Sequence, residues 1–337
     1  MSQDRDAAIV GIHEYPSRDV EGEVSPLQIK AESASRALKD AGLNWSDVDA
    51  IYDAGEAGGM AGLTMAEYFG LSPNVIDTTN VGGSSYEFHA AHARRDIRAG
   101  KAKVALLTYG STAHSNARAI GVGGRGGASM HPAENMDAYA GMTLIANYAM
   151  VAHRHMHQYG TTSEQLAEIS VATRMHAMRN PEAVRAMEDL EFLDIRETTI
   201  SDVVNSRMIA DPLHLLECCM ISDGGGAVVI ASPEIARDCR TDPVWILGSG
   251  EATKYPMSGG DITTSAAAQS AGRRRRASTS SVSRCVVSKA VPDARVLACA
   301  ITRPRRRSRR TDSMAAWPSG DEVSASEERS AASSCSS

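Results

Sequence analysis

Thr78-Thr79-Asn80-Val81-Gly82-Gly83-Ser84-Ser85-Tyr86-Glu87-Phe88-His89 joins a short apolar run to a helical pattern through two glycines. Asn74-Val75-Ile76-Asp77 before it reads as a strand, and the pattern after it continues as a helix ending at Gly100. Glycine permits turns that side chains resist, and Ser84 with Glu87 has the S-x-x-E spacing of a capping box, which sets the expected helix start at Ser84. The first amides of a helix lack intrahelical partners, and together with the helix dipole they stabilise an anion or a thioester oxygen. The spacing leaves two readings open, an ordinary capped strand-to-helix turn and a binding loop of that kind.

Outward from this stretch the chain alternates. Ala7-Ala8-Ile9-Val10-Gly11-Ile12 reads as a buried first strand, and residues 27–41 recur at helical spacing and stop at Gly42. Asp49-Ala50-Ile51-Tyr52-Asp53 is a second strand, residues 64–69 are helix-like, and Lys103-Val104-Ala105-Leu106-Leu107-Thr108-Tyr109 is a fourth strand. Strands alternating with helices imply a mainly parallel sheet covered on both faces. Residues 110–142 break the rhythm and read as an inserted loop region over the strand ends. Their glycine-rich run at 121–127 lacks the Gly-Lys-Ser/Thr of a phosphate loop. Residues 143–178 read as two helices separated by Gly160-Thr161-Thr162-Ser163.

The histidines and cysteines are unevenly placed: all ten His precede residue 215, and no Cys precedes Cys218. His153, His155 and His157 do not converge on a helix, where only the i, i+4 pair shares a face, so no metal site is expected. His89 and His92 lie one turn apart on the helix of the opening stretch, where a packed core histidine is the simpler role. The adjacent Cys218 and Cys219 read as buried small apolar residues. Without a C-x-x-C pair, a leader-like start or an apolar run of membrane-spanning length, the expectation is a cytoplasmic chain without a membrane span.

Composition breaks near Ser270. Residues 1–270 carry a net charge of −14 and residues 271–337 a net charge of +8, and the second part has one Leu and no Phe, Tyr or His. Such a segment buries too little apolar surface to offset its chain entropy and is expected to be disordered. Its arginine runs show no aromatic interleaving, so no specific nucleic-acid reader is expected. A sudden Arg-, Ser- and Ala-rich text suggests an out-of-frame reading of a G+C-rich gene. The expected organisation is an N-terminal half over 1–240 that includes the loop region 110–205, the start of a second half at 241–270, and the tail 271–337. Val244-Trp245-Ile246-Leu247 reads as a strand opening a second sheet.

Two blocks carry a family resemblance. Asn80-Val81-Gly82-Gly83-Ser84-Ser85, with the following helix and the strand Val104 to Thr112, resembles the nucleophile loop of the thiolase superfamily, in its lipid-transfer (sterol-carrier-protein thiolase) branch. Ala210-Asp211-Pro212-Leu213, Cys218-Cys219 and Ser222-Asp223-Gly224-Gly225-Gly226-Ala227 are similar to the block that ends the first half of those proteins. The resemblance covers about residues 7–270. It implies an α/β fold, a thiolase-like layered α-β-α sandwich whose first half, a βαβαβαββ unit, is complete and whose second half is largely missing. It also implies a usual homodimer, and a CoA thioester as substrate with no separate cofactor.

By the same resemblance Gly83 stands where the family has its nucleophilic Cys at a helix N-terminus. No Cys lies anywhere near it, and the family's second-half Gly-His-Pro loop has no counterpart after His214. Ser84 or Ser85 would need a base to act in its place, and a capping hydroxyl is the simpler role. The expected binding residues are Gly82, Gly83, Ser84, Ser85 and His89, with no catalytic residue and no metal. The leading expectation is a thiolase-like, acyl-CoA-binding protein that performs no thiolysis. Alternatives are a retro-aldol lyase subunit acting on a β-hydroxyacyl-CoA with an OB-fold partner, and a non-catalytic binding or scaffold protein.

Overall fold

The computed structural model describes residues 5–21, 23–56, 58–116, 144–191, 194–251 and 263. The glycine-rich run at 121–127, most of 252–270 and the basic tail 271–337 lie outside the described residues, as do the expectations attached to them. Strand β1 (Ala8–Glu14) is followed by α1 (Pro26–Ala41), β2 (Ala50–Tyr52), α2 (Gly62–Phe69), β3 (Val75–Asp77), α3 (Ser85–Arg98) and β4 (Val104–Thr112). The chain returns to the same sheet as β7 (Asp223–Ala231), which completes a βαβαβαββ unit.

Between β4 and β7 the described residues hold α4 (Leu144–Tyr159), α5 (Ser163–Ala177), α6 (Pro181–Asp189), α7 (Ile200–Val204) and a short pair of strands, β5 (Met208–Ala210) and β6 (Leu213–His214). After β7 come α8 (Pro233–Asp238) and β8 (Val244–Trp245). The two helices expected over 143–178 form, and within the region 110–205 the described residues Pro181–Asp189 and Ile200–Val204 are helical as well. None of the described helices is long and apolar enough to cross a membrane.

The sheet runs β3-β2-β4-β7-β1-β8. β2 pairs in parallel with β3 and β4, whereas β7 is antiparallel to both β4 and β1, and β8 is antiparallel to β1. The expected mainly parallel sheet is thus a mixed one. The reason is the late strand β7, which wedges between β4 and β1 over a nine-residue register from Val104↔Ala231 to Thr112↔Asp223. Val244 and Trp245 do not open a second sheet; they extend this one at its β1 edge.

Alternate strand residues feed two cores, as the period of two requires. Val10, Ile51, Leu106 and Val229 pack with Ala34, Ala37 and Leu38 of α1, Met65 of α2 and Ala236 of α8. Ala50, Tyr52, Ala105, Leu107 and Ile230 pack on the other face with Ala93 and Ile97 of α3. Helix α1 starts in a full capping box, Ser25 with Gln28, and stops at Gly42 in the left-handed region at φ 78°. It lies almost on the sheet backbone. A Cβ at Gly225 would sit 2.2 Å from the Tyr109 carbonyl oxygen, and one at Gly110 would sit 2.5 Å from the Pro26 carbonyl oxygen.

The block Ser222 to Ala227 has a structural explanation. The buried Asp223 carboxylate accepts from the amides of Val20 (3.0 Å), His114 (2.8 Å) and Ser115 (3.1 Å), tying three segments together at the end of β4. Cys218 is half-buried and Cys219 is exposed, which corrects the expectation that both are buried.

Candidate functional site

The loop from Asn80 to Ser85 sits at the C-terminal end of β3 and delivers the chain into α3. Gly82 turns it at φ 80°. The expected capping box is not formed: Ser84 has φ −76° and ψ −1°, helical rather than extended, and its side chain accepts no capping bond. Ser85, the first residue of α3, ties the loop together instead of capping the helix. Its hydroxyl accepts from the Val81 amide at 2.9 Å and donates to the Gly82 carbonyl at 2.6 Å. Asn80 closes the loop on either side, accepting from the Gly82 amide at 3.1 Å and donating to the Ala54 carbonyl at 2.8 Å.

These bonds leave a defined set of amides over. Ser85 donates to Gly82 and Phe88 to Ser84, Gly83 is bridged to Val81, and among the described residues the first-turn amides of Tyr86 and Glu87 meet no acceptor outside the helix. Gly82, Gly83 and Ser84 are exposed, so these amides edge an open surface. A Cβ built on Gly83 meets nothing within 4 Å, so the position has room for a side chain and carries none.

Behind the rim, Ser85 and His89 are fully buried. The His89 Nε2 donates to the Thr79 carbonyl at 2.9 Å, which leaves Nδ1 as an acceptor without a partner. Burial holds the His89 pKa below its ordinary value of 6.5, against a smaller opposing pull from the Thr79 carbonyl, so the ring is neutral. His92 points elsewhere, with Nδ1 2.7 Å from Asp77 and Nε2 3.3 Å from Glu251.

A buried polar chain flanks the loop, and sequence reasoning missed it. Lys30 of α1 is fully buried and reaches past the end of β2, with Nζ 2.6 Å from Asp53 Oδ2 and 2.9 Å from Glu56 Oε2. Asp53 also accepts from the Thr108 hydroxyl at 3.0 Å and the Gly55 amide at 2.8 Å. The second oxygen of Glu56 accepts from the Tyr86 hydroxyl. Burial, and after it the Glu56 carboxylate, pushes the Tyr86 phenol far above its ordinary value. The Tyr86 ring meets His89 and Tyr109 edge-on, at 5.8 and 5.2 Å between centroids. Glu56 keeps 22% of its side chain exposed, so this chain of buried charge surfaces beside the loop.

The arrangement offers donors to a carbonyl oxygen and a fixed carboxylate next to them, and it offers no nucleophile. The Ser85 hydroxyl is spent within its own loop, and no base is bonded to Ser84 among the described residues. The exposed His153, His155 and His157 do not gather: His153 pairs with Asp211 at 2.9 Å and His155 with the Thr161 hydroxyl at 2.8 Å. No group of three metal-ligating side chains is found among the described residues. A groove of about 760 Å³ opens at the end of β1 against α5 and α6, but it contains no residue of α3. Two of its arginines are committed, Arg18 to Glu14 and Arg185 to Glu182, so the α3 start is the better-built site.

No protein-family model matches the chain. It is 32% identical over 262 residues to an acetyl-CoA acetyltransferase of Methanothermobacter thermautotrophicus, covering 74% of this chain and 63% of that protein. It is 34% identical over 256 residues to a steroid side-chain-cleaving aldolase of Thermomonospora curvata, covering 74% and 62%. Among solved structures the Ltp2-ChsH2(DUF35) aldolase matches with a TM-score of 0.62 at 30% identity, over 77% of this chain and 63% of that one.

The chain belongs to the thiolase superfamily. It spans less than two thirds of the length of these relatives. Within this thiolase-like fold, the βαβαβαββ unit brings Gly82, Gly83, Ser84, Ser85 and His89 to one end of α3, the first three as rim and the last two as its buried support.

Proposed function

We propose that the chain binds a CoA thioester at the start of α3 and performs no thiolysis. The observation that carries this is the pair of first-turn amides of α3, Tyr86 and Glu87, beside Gly83, an open position without a nucleophile. Amides aimed at a thioester oxygen bind it and stabilise negative charge that develops on it. In this reading Gly82 and Ser85 shape the loop, Gly83 and Ser84 present it, and neutral His89 backs it. The CoA ester is the ligand, with no further cofactor, in a cytoplasmic homodimer. Exposed Met60, Leu63 and Val81 near the loop are compatible with a covering partner.

Titration calorimetry with acetyl-CoA tests the reading. Binding should be measurable, and Gly83→Phe, which fills open space, should weaken it at least tenfold while leaving the thermal transition in place. Absence of binding would leave the scaffold reading instead. Measurable thiolysis of acetoacetyl-CoA by the unaltered chain would overturn the second half of the proposal.

A second reading is favoured by the fixed Glu56 carboxylate and by the identity to aldolases. It is a retro-aldol lyase subunit acting on a β-hydroxyacyl-CoA, together with an OB-fold partner. A base takes the hydroxyl proton, the Cα–Cβ bond breaks to give a carbonyl product and a thioester enolate, and the enolate carbon then takes up a proton. Amides at α3 suit the enolate oxygen. Release of a ketone or aldehyde from a β-hydroxyacyl-CoA, with and without the partner, decides between the readings.

A further inference from the structure

We infer that Glu56 is the specificity-determining residue for a hydroxyl group on the acyl part of the thioester, with Tyr86 as its positioning residue. This rests on the reading that a thioester carbonyl is received at the start of α3. An ionised carboxylate only accepts hydrogen bonds, and each of its oxygens has room for two. Tyr86 occupies one place on Oε1 and Lys30 one place on Oε2, which fixes the carboxylate plane and leaves acceptor capacity on the exposed side.

A thioester carbonyl has nothing to donate to that capacity, whereas a hydroxyl does. The two halves of the site are joined through Tyr86, whose amide belongs to the unpaired set and whose phenol holds Glu56. One tyrosine side chain therefore separates the carbonyl-binding donors from the acceptor. A ligand satisfying both has its hydroxyl a few bonds from the thioester carbonyl, as in a β-hydroxyacyl ester. The groups facing Glu56 are Lys30 from α1, Asp53 at the end of β2 and Tyr86 from α3, with Tyr109 of β4 packed on Tyr86. Lys30 is shared with Asp53, so the pair of carboxylates outnumbers its one cation and favours an approaching donor over a further acceptor.

The test is calorimetry on the 337-residue chain with 3-hydroxybutyryl-CoA, butyryl-CoA and CoA. A hydrogen bond to a charged group predicts tighter binding of the hydroxy ester by about ten- to a hundredfold. Glu56→Gln, which loses the charge, should bring the two esters to within about threefold of each other. Glu56→Asp keeps a charge opposite Lys30 but withdraws the carboxylate by one methylene, and it should lose the preference as well. Tyr86→Phe should weaken the preference without removing it. Equal affinity of the unaltered chain for both esters overturns the inference and leaves the thioester site standing. A preference retained in both Glu56 variants, or both esters weakened equally, also overturns it. If neither ester binds, the thioester reading fails and the inference falls with it.

Discussion

Lys30 Nζ lies 2.6 Å from Asp53 Oδ2, and both side chains are almost completely buried. A lone buried carboxylate is far costlier than a paired one, so removing the cation should be felt by the whole fold. Lys30→Met is expected to lower the unfolding free energy by about 3–5 kcal/mol, read from urea denaturation. Adding Asp53→Asn should recover part of the loss. A Lys30→Met chain as stable as the parent would mean that the pair is not formed.

Gly83 and Gly225 should respond to alanine in opposite ways. Gly83 lies outside the left-handed region and has open space, so Gly83→Ala is expected to be neutral or stabilising by about 0.4–1 kcal/mol. Gly225→Ala drives a Cβ to 2.2 Å from the Tyr109 carbonyl oxygen and should cost about 1–3 kcal/mol or more. Thermal melts of the two variants side by side decide it.

A thiol introduced by Gly83→Cys reports the field at the α3 start. The first-turn amides of α3 and the helix dipole should bring its alkylation midpoint below the ordinary thiol value of about 8.5. The iodoacetamide rate against pH, corrected for the parent chain, gives the midpoint. A midpoint at or above the ordinary value would show that the Glu56 carboxylate outweighs the amides.

His89 should make stability fall on the acid side of neutrality. Its folded pKa lies below 6.5, so below that pH the unfolded chain takes up a proton that the folded chain resists. The stabilisation is full above 6.5 and is lost as pH falls towards the folded pKa, at up to about 1.4 kcal/mol per pH unit. Urea midpoints at pH 7, 6 and 5 should converge between the parent and His89→Gln. Parallel curves would sink the assignment.

Residues 271–337 are rich in Arg, Ser and Ala, and we propose that they are read out of frame. Translating the other frames of the gene downstream of codon 270 should yield a second thiolase-like half of about the size of the first. Two frames without one would dispose of that idea.

The first four strands and three helices were legible because each is a local pattern: a continuous apolar run for Ala50 to Tyr52, helical spacing for Ile29, Ala34, Leu38 and Ala41. The place of β7 was not. A strand about 110 residues beyond β4 chooses its neighbours by long-range packing, and no local pattern in Asp223 to Ala231 encodes an antiparallel slot between β4 and β1. At the site, the Gly82–Ser85 loop could be read from its glycines, but the capping box does not form because Ser84 is already helical, and Ser85 ties the loop to Val81 and Gly82 instead. The Lys30 network left one trace. Lys30 falls at helical spacing with Ala34, Ala37 and Ala41 on the buried stripe of α1, where a cation needs a partner.

Gly110 and Gly225 let α1 rest on bare peptide planes, so the sheet at that point is no thicker than its own backbone. A cation rooted in α1 on one side anchors the acceptor that a tyrosine from α3 holds on the other. Sliding α1 along the sheet by a single turn would move that anchor by about 5.4 Å and retune the surface that Glu56 reaches.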